Sequence, residues 1–398
     1  MGFDIEHLDI LMLIAAVVAM LSRKMGVPYS VGLVATGIIL AFIPTGQDVH
    51  LTKELIFKVL LPPLIFEAAF FLPWKELRKD FLVVTTLATL GVVLSAGITT
   101  MGMHYLAGWR WSSALIFGVL IAATDPVSVI ATFKEAGVHG RLRVLVESES
   151  LFNDGAAAVM FVIAIAYAAG QEISPASVTM TLLTTIGGGI ICGALVAWVM
   201  LKIAGRTTDH LVEITFTVVG AYGSFLLAEH LHFSGVLATL TAGIMLGNLG
   251  VLGAISPRGR EAVEAFWEYV AFVANSLIFL LIGIHEAQQN FPHIWMAALL
   301  AIALVTLGRA VAIYPVCALF SKSTVRVSWE HQHILFWGGL RGALALALAL
   351  GLPENTPGHD DIIAIAFAVV AFSVFVQGMT MTPLLRHMGE IFHKKHDV

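Results

Sequence analysis

The chain reads as a succession of long apolar runs separated by short polar breaks. An apolar run of about 20 residues is the length that carries a helix across a hydrocarbon core. Thirteen such segments are predicted, at residues 8–26, 27–44, 54–72, 80–106, 111–133, 149–169, 176–203, 207–231, 234–249, 261–284, 292–320, 329–352 and 360–388.

The charges test that count. Segment ends alternate between a basic side, holding 17 of the 22 Lys and Arg residues, and a side holding only Lys53, Lys58 and Arg110. Arg309 and Arg341 fall inside segments. One miscounted segment would scramble the alternation downstream of the error. The positive-inside rule then places the N-terminus outside and the C-terminus in the cytoplasm, with the chain in a cell (plasma or inner) membrane. Composition agrees: 58% of residues are hydrophobic, 12% are charged and mean hydropathy is +0.89, whereas a soluble domain carries roughly 25% charged residues. The expectation is one all-α polytopic membrane domain over residues 1–398. The acidic first residues lack the basic region of a cleavable leader, so the first segment should remain as a span. The short stretch after residue 388 leaves no room for a cytosolic regulatory domain, and no nucleic-acid partner is expected. Cys192 and Cys317 fall in apolar segments and read as packing residues rather than a disulfide framework.

Segment six holds the costliest residue. Asp154 lies in a run that stays apolar to Ala169, and a carboxylate at membrane depth costs about 2.5–3.5 kcal/mol on insertion scales. Glu149, Ser150, Asn153 and Asp154 stand at i, i+1, i+4 and i+5, which on a helix stacks Glu149 over Asn153 and Ser150 over Asp154. Ala157 and Ala158 continue that face with small side chains, so another helix can approach closely.

Two segments carry breaks at matching positions. Segment five contains Thr124-Asp125-Pro126, where proline removes an N–H and clashes with the carbonyl of Ala122. Segment twelve contains Gly338-Gly339-Leu340-Arg341-Gly342. Each is the fifth of its set if a second repeat begins at segment eight. An offset of seven spans inverts the second repeat, and paired interrupted helices in inverted halves point to an ion site near the midplane. Crossing breaks bring four half-helix ends together, each with roughly half a charge. Asp125 suits the positive N-terminal ends and Arg341 the negative C-terminal ends. Asp154, the Ser150 hydroxyl and carbonyls freed around Thr124 offer hard oxygen ligands for a small cation such as Na+ or Li+. Glu67, after Pro62-Pro63, is placed to line the same cavity. Intramembrane carboxyls outnumber the two buried arginines, so at least one is protonated or ion-bound, as a proton-coupled cation carrier requires. Glu213 and Glu229, near segment ends, read as structural. The fifteen histidines read mostly as solvated or interfacial.

The stretches Ala-Thr-Asp-Pro-Val (123–127), Glu-Ser-Leu-Phe-Asn-Asp-Gly (149–155) and Gly-Gly-Leu-Arg-Gly-Ala (338–343) resemble the monovalent cation/proton antiporters, in the branch of bacterial NhaP and the sodium/hydrogen exchangers. Residues 61–67, 228–235 and Arg309 also look like family positions. The resemblance covers the whole chain. It implies a secondary active antiporter, not an enzyme, with no cofactor beyond the transported Na+ and H+. Asp154, Ser150, the Thr124 carbonyl and Glu67 would hold the ion with water, and Asn153 would organise the site. Glu149 would pair with Arg309, and Asp125 and Arg341 would sit at the helix crossing. Residues 80–170 and 292–390 would form a moving core, and residues 1–79 and 171–291 a scaffold that makes a homodimer. Many relatives carry a long regulatory tail, and regulation of that kind is not expected here.

The expected mechanism is competition of one cation and one proton at Asp154, with only the occupied site crossing. The residue beside Asp154 is the neutral Asn153, so exchange is expected to be electroneutral, one for one. A K+/H+ antiporter of the same fold is the alternative. An intramembrane aspartyl protease would need Asp125 and Asp154 face to face sharing a proton, and no Gly-x-Gly-Asp motif occurs. A cation channel would need a filter-like loop, and none is visible.

Overall fold

The computed structural model describes residues 5–25, 27–42, 54–125, 129–130, 133, 137–171, 174–249, 255–287 and 291–390. Among these, no strand occurs, and all thirteen apolar segments are helical. In chain order the helices are α1 (Ile5–Met25), α2 (Tyr29–Ala41), α3 (55–71), α4 (Trp74–Ala107), α5 (Trp111–Leu120), α6 (Arg141–Ala168), α7 (Pro175–Ala204), α8 (His210–His230), α9 (Gly235–Leu249), α10 (Pro257–Glu286) and α11 (Phe291–Leu319). Segment twelve is two helices, α12 (Trp329–Trp337) and α13 (Ala343–Leu350), and α14 is His359–His387. Seven of the described helices are long and apolar enough to cross a membrane, and α2, α5 and α9 are shorter apolar helices.

Both expected breaks are present. Helix α5 stops at Leu120, and residues 121–125 are not helical; Pro126 and Val127 lie outside the described residues. Helix α12 stops at Trp337, and α13 starts at Ala343. Two limits needed correction. Helix α6 begins at Arg141, not 149, and α4 at Trp74, not 80. In both, the extra turns are amphipathic and carry charge, so an apolar window does not register them. The earlier start of α6 moves Asp154 from the second turn to mid-helix. Wide i→i+5 turns interrupt α3, α4, α8 and α14 at Leu55–Leu60, Leu87–Gly91, Val219–Gly223 and Ser373–Gly378, and no pattern of apolar residues announces such a turn.

Several helix starts are fixed by side chains. The Ser174 hydroxyl accepts from Ser177 N in a capping box on α7, and Asp209 caps α8. Glu213 is buried, accepts from the Ser256 backbone N–H at 2.9 Å and its hydroxyl at 3.0 Å, and so holds the start of α10. Glu229 accepts from Gly235 N at 3.1 Å at the start of α9. These are the structural roles expected of both acids.

Helices α4, α5, α6 and α11 to α14 pack chiefly on one another, as do α1 to α3 with α7 to α10. The two sets meet more sparsely, at α6 against α3, α7 and α9, at α13 against the start of α3, and at α14 against α2 and α10. Arg141 fastens one end of the first set: it donates to Asp80 at 2.6 and 2.9 Å and to the carbonyls of Val325 and Arg326, both at 2.8 Å. This links the starts of α4 and α6 to the loop before α12, all on the basic side.

In the second set, α2 and α10 touch backbone to backbone. A Cβ at Gly37 would overlap the carbonyl oxygen of Leu280, and one at Gly283 that of Val34. Small residues at such crossings let dispersion and Cα–H contacts act at short range, where apolar burial gives no net drive in lipid. Replacing Gly283 by Ala is expected to lower stability by about 1–3 kcal/mol through overpacking. Gly97→Ala, where an added Cβ meets nothing within 4 Å, should hold or slightly raise the midpoint. Thermal unfolding in detergent checks both.

Candidate ion-binding site

The site is built where the two breaks cross. The Asp125 N–H donates to the Leu340 carbonyl at 2.7 Å, joining one interrupted stretch to the other. The Arg341 side chain is buried and donates to the carbonyls of Ala122 and Ala123 at 2.7 and 3.0 Å. These carbonyls follow the C-terminal end of α5, where the helix dipole is negative. The Asp125 carboxylate lies against the backbone of Gly342, which precedes α13; a Cβ at Gly342 would overlap it. It therefore faces the positive end of that helix. Each charge stands at the half-helix end of opposite sign.

Helix α6 passes this crossing with a fully buried polar face. Glu149 accepts from Arg309 on α11 through both carboxylate oxygens, at 2.7 and 2.9 Å, and Arg309 also donates to the Leu335 carbonyl of α12 at 2.9 Å. A side chain at Gly339 would overlap the Arg309 guanidinium, so glycine there lets the arginine through. The Asn153 amide nitrogen reaches Glu149 at 3.4 Å, which is the stack expected from their spacing. The Thr124 hydroxyl donates to Ser150 at 3.1 Å, so α6 is tied to the break itself.

Two oxygens on this face are left over. Asp154 Oδ1 and Asn153 Oδ1 are buried and have no hydrogen-bond partner among the described residues. A buried carboxylate oxygen without a donor is costly, and a bound cation or proton is what would relieve it.

Asp154 opens onto a cavity of about 410 Å3, with Thr124, Asp125 and Glu67 also on its wall. Thus Asp154, Thr124 and Glu67 come together at one surface, with Glu67 reaching it from α3. Ser150 and Asn153 are not part of that lining; Ser150 stands behind Thr124, and Asn153 is turned toward Glu149. Arg23, at the end of α1, and Arg143, near the start of α6, also line the cavity. It therefore reaches the side on which the basic residues gather.

Three cavity residues are not foreseen in the sequence reading. Glu147, 3.6 Å from Arg143, sits seven residues before Asp154 on the same face of α6. Glu268 and Asn275 hold the same spacing on α10. That i, i+7 pairing is the signal that could have found them. A further buried acid, Glu286 at the end of α10, has one carboxylate oxygen without a partner among the described residues, but it does not line the cavity.

The sequence matches the family described as sodium/hydrogen exchanger, transmembrane, over residues 11–387. It is 40% identical to the Na+/H+ antiporter ApNhaP of Aphanothece halophytica, over 92% of this chain and 70% of that protein. It is 32% identical to the Na+/H+ antiporter NhaH of Halobacillus dabanensis, over 98% of this chain and 100% of that one. The fold is similar to that of the sodium proton antiporter MjNhaP1 from Methanocaldococcus jannaschii, with a TM-score of 0.80 at 20% identity, covering 99% of this chain and 100% of that chain. The protein is therefore an integral membrane protein that belongs to the sodium/hydrogen exchanger transmembrane family.

Proposed function

We propose that the chain is a secondary active antiporter that exchanges Na+ or Li+ for H+ at Asp154. The observation that carries this is the Asp154 carboxylate: buried beside the helix crossing, lining the cavity, and with one oxygen that has no hydrogen-bond partner among the described residues. A dehydrated monovalent cation takes hard oxygens, and Asp154, the Thr124 carbonyl and Glu67 offer them from three elements. Ser150 and Asn153 hold the shape of the site from behind. A proton on Asp154 satisfies the same lone pair. Because cation and proton need one group, each excludes the other, and exchange follows without any bond being made or broken.

Alternating access requires that the site change sides. Helices α4 to α6 and α11 to α14, which carry Asp154 and Thr124, form the moving core, and the remaining helices, including α3 with Glu67, form the scaffold. Sparse packing between the sets supports this division. The Glu149–Arg309 pair and the Arg341 contacts lie within the core, so the core can move as a body without breaking them. The cavity mouth carries Arg23 and Arg143, and the positive-inside rule assigns that side to the cytoplasm. The conformation described is then inward-facing. A homodimer through the scaffold fits this mechanism, since a fixed scaffold gives the core something to move against.

Electroneutrality follows from the neighbour of Asp154. Asn153 is uncharged and its amide is engaged with Glu149, so one carboxylate carries either one cation or one proton.

Asp154→Asn should reduce Na+-driven proton flux in proteoliposomes to the level of empty vesicles while the variant purifies as a folded protein; retained exchange would end the proposal. Collapsing the membrane potential with valinomycin and K+ should leave the wild-type rate unchanged. One unbalanced charge would couple to voltage at about 2.3 kcal/mol per 100 mV, so a large change in rate would contradict one-for-one exchange.

A further inference from the structure

Two helices each line the cavity with a stripe of side chains at helical spacing. On α6, Arg143, Glu147, Leu151 and Asp154 form one stripe; on α10, Glu268, Ala271, Phe272 and Asn275 form another. Both stripes begin near a basic helix start and run inward. Asp154 lies thirteen residues after the first residue of α6 and Asn275 eighteen after that of α10, about 20 and about 27 Å along their helices at 1.5 Å per residue. The innermost cavity residue of one stripe is the carboxylate of the proposed site. The innermost of the other is a buried amide, within an otherwise apolar stretch of α10 broken only by Ser276.

Resting on the function proposed above, we propose that Asn275 is a specificity-determining residue of the inward-facing site, supplying an amide oxygen to the cation from the scaffold side. An amide in an apolar helix is costly unless it is satisfied. Asp154 lines the same cavity, and its buried Oδ1 has no hydrogen-bond partner among the described residues. A neutral oxygen adds a ligand without adding charge, so one-for-one exchange is preserved. Asn275, on α10, and Glu67, on α3, belong to the scaffold, whereas Asp154 and Thr124 belong to the core. When the core moves, the amide stays behind. Asn275 therefore acts on cation affinity from the cytoplasmic side alone, and it has no part in carrying the proton.

The test compares wild type, Asn275→Leu, Asn275→Asp and Asp154→Asn in vesicles of both orientations, with Na+ and Li+ titrated at fixed pH. Asn275→Leu should raise the cytoplasmic KM for Na+ by about five- to tenfold, the size of one lost neutral ligand. Its maximal rate and its external KM should stay within about twofold of wild type. Asn275→Asp should lower the cytoplasmic KM. An unchanged KM in both Asn275 variants overturns the inference. So does an equal rise on the two sides, or a fall in rate without a change in KM, which is what a merely structural amide would give. If Asn275→Leu does not purify folded, Asn275→Asp decides by the direction of its KM. Loss of exchange in Asp154→Asn with unmoved Asn275 variants would sink this inference alone; exchange surviving in Asp154→Asn would sink the function on which it rests.

Discussion

A helix that stops inside a bilayer frees carbonyls and amides where there is no water to take them. Two helices stop here, and the structure answers by crossing the breaks. Asp125 N–H to Leu340 carbonyl joins them, and the buried Arg341 takes the carbonyls of Ala122 and Ala123. The charges of Asp125 and Arg341 lie against helix ends of opposite sign. Without that compensation, four half-helix dipoles would converge unscreened. The rest of the site depends on this crossing, because the residue after Ala123 is Thr124, which lines the cavity and whose hydroxyl donates to Ser150.

The second constraint is the buried pair of Glu149 and Arg309. Isolated, either charge would be very expensive at this depth; together, with the Leu335 carbonyl and the Asn153 amide as further partners, they are largely satisfied. Such pairs are weak evidence for stability and better evidence for a fixed arrangement. Here the pair joins α6, α11 and, through Leu335, the end of α12. Asn153 is the pivot: its nitrogen serves this network while its oxygen has no hydrogen-bond partner among the described residues. One side chain thus links a rigid ion pair to an unsatisfied carboxylate one residue away.

Much of this was legible in the sequence, for physical reasons. Thirteen apolar runs are forced by the thickness of a bilayer, and their ends by the sorting of Lys and Arg. The Glu149–Asn153 contact follows from a four-residue spacing on a helix. The breaks follow from the Thr-Asp-Pro stretch and the glycines at 338, 339 and 342. The chemistry of the break ends follows from the sign of a dipole. Less was legible where an apolar window has nothing to detect. The amphipathic first turns of α4 and α6 were missed, and with them the depth of Asp154. The wide turns in α3, α4, α8 and α14 arise from backbone registers that no residue pattern marks. Asn275 stands seven residues after Glu268, but that spacing gains a meaning only once both are seen to line the same cavity as Asp154.

The central claim is that one carboxylate serves cation and proton by turns. Its most direct test is proton release on cation binding, measured on purified wild-type protein in weakly buffered detergent solution. One proton should leave for each Na+ bound, and on the acid side apparent Na+ affinity should fall by about tenfold for each unit of pH. Na+ binding without proton release, at an affinity indifferent to pH, would contradict the account.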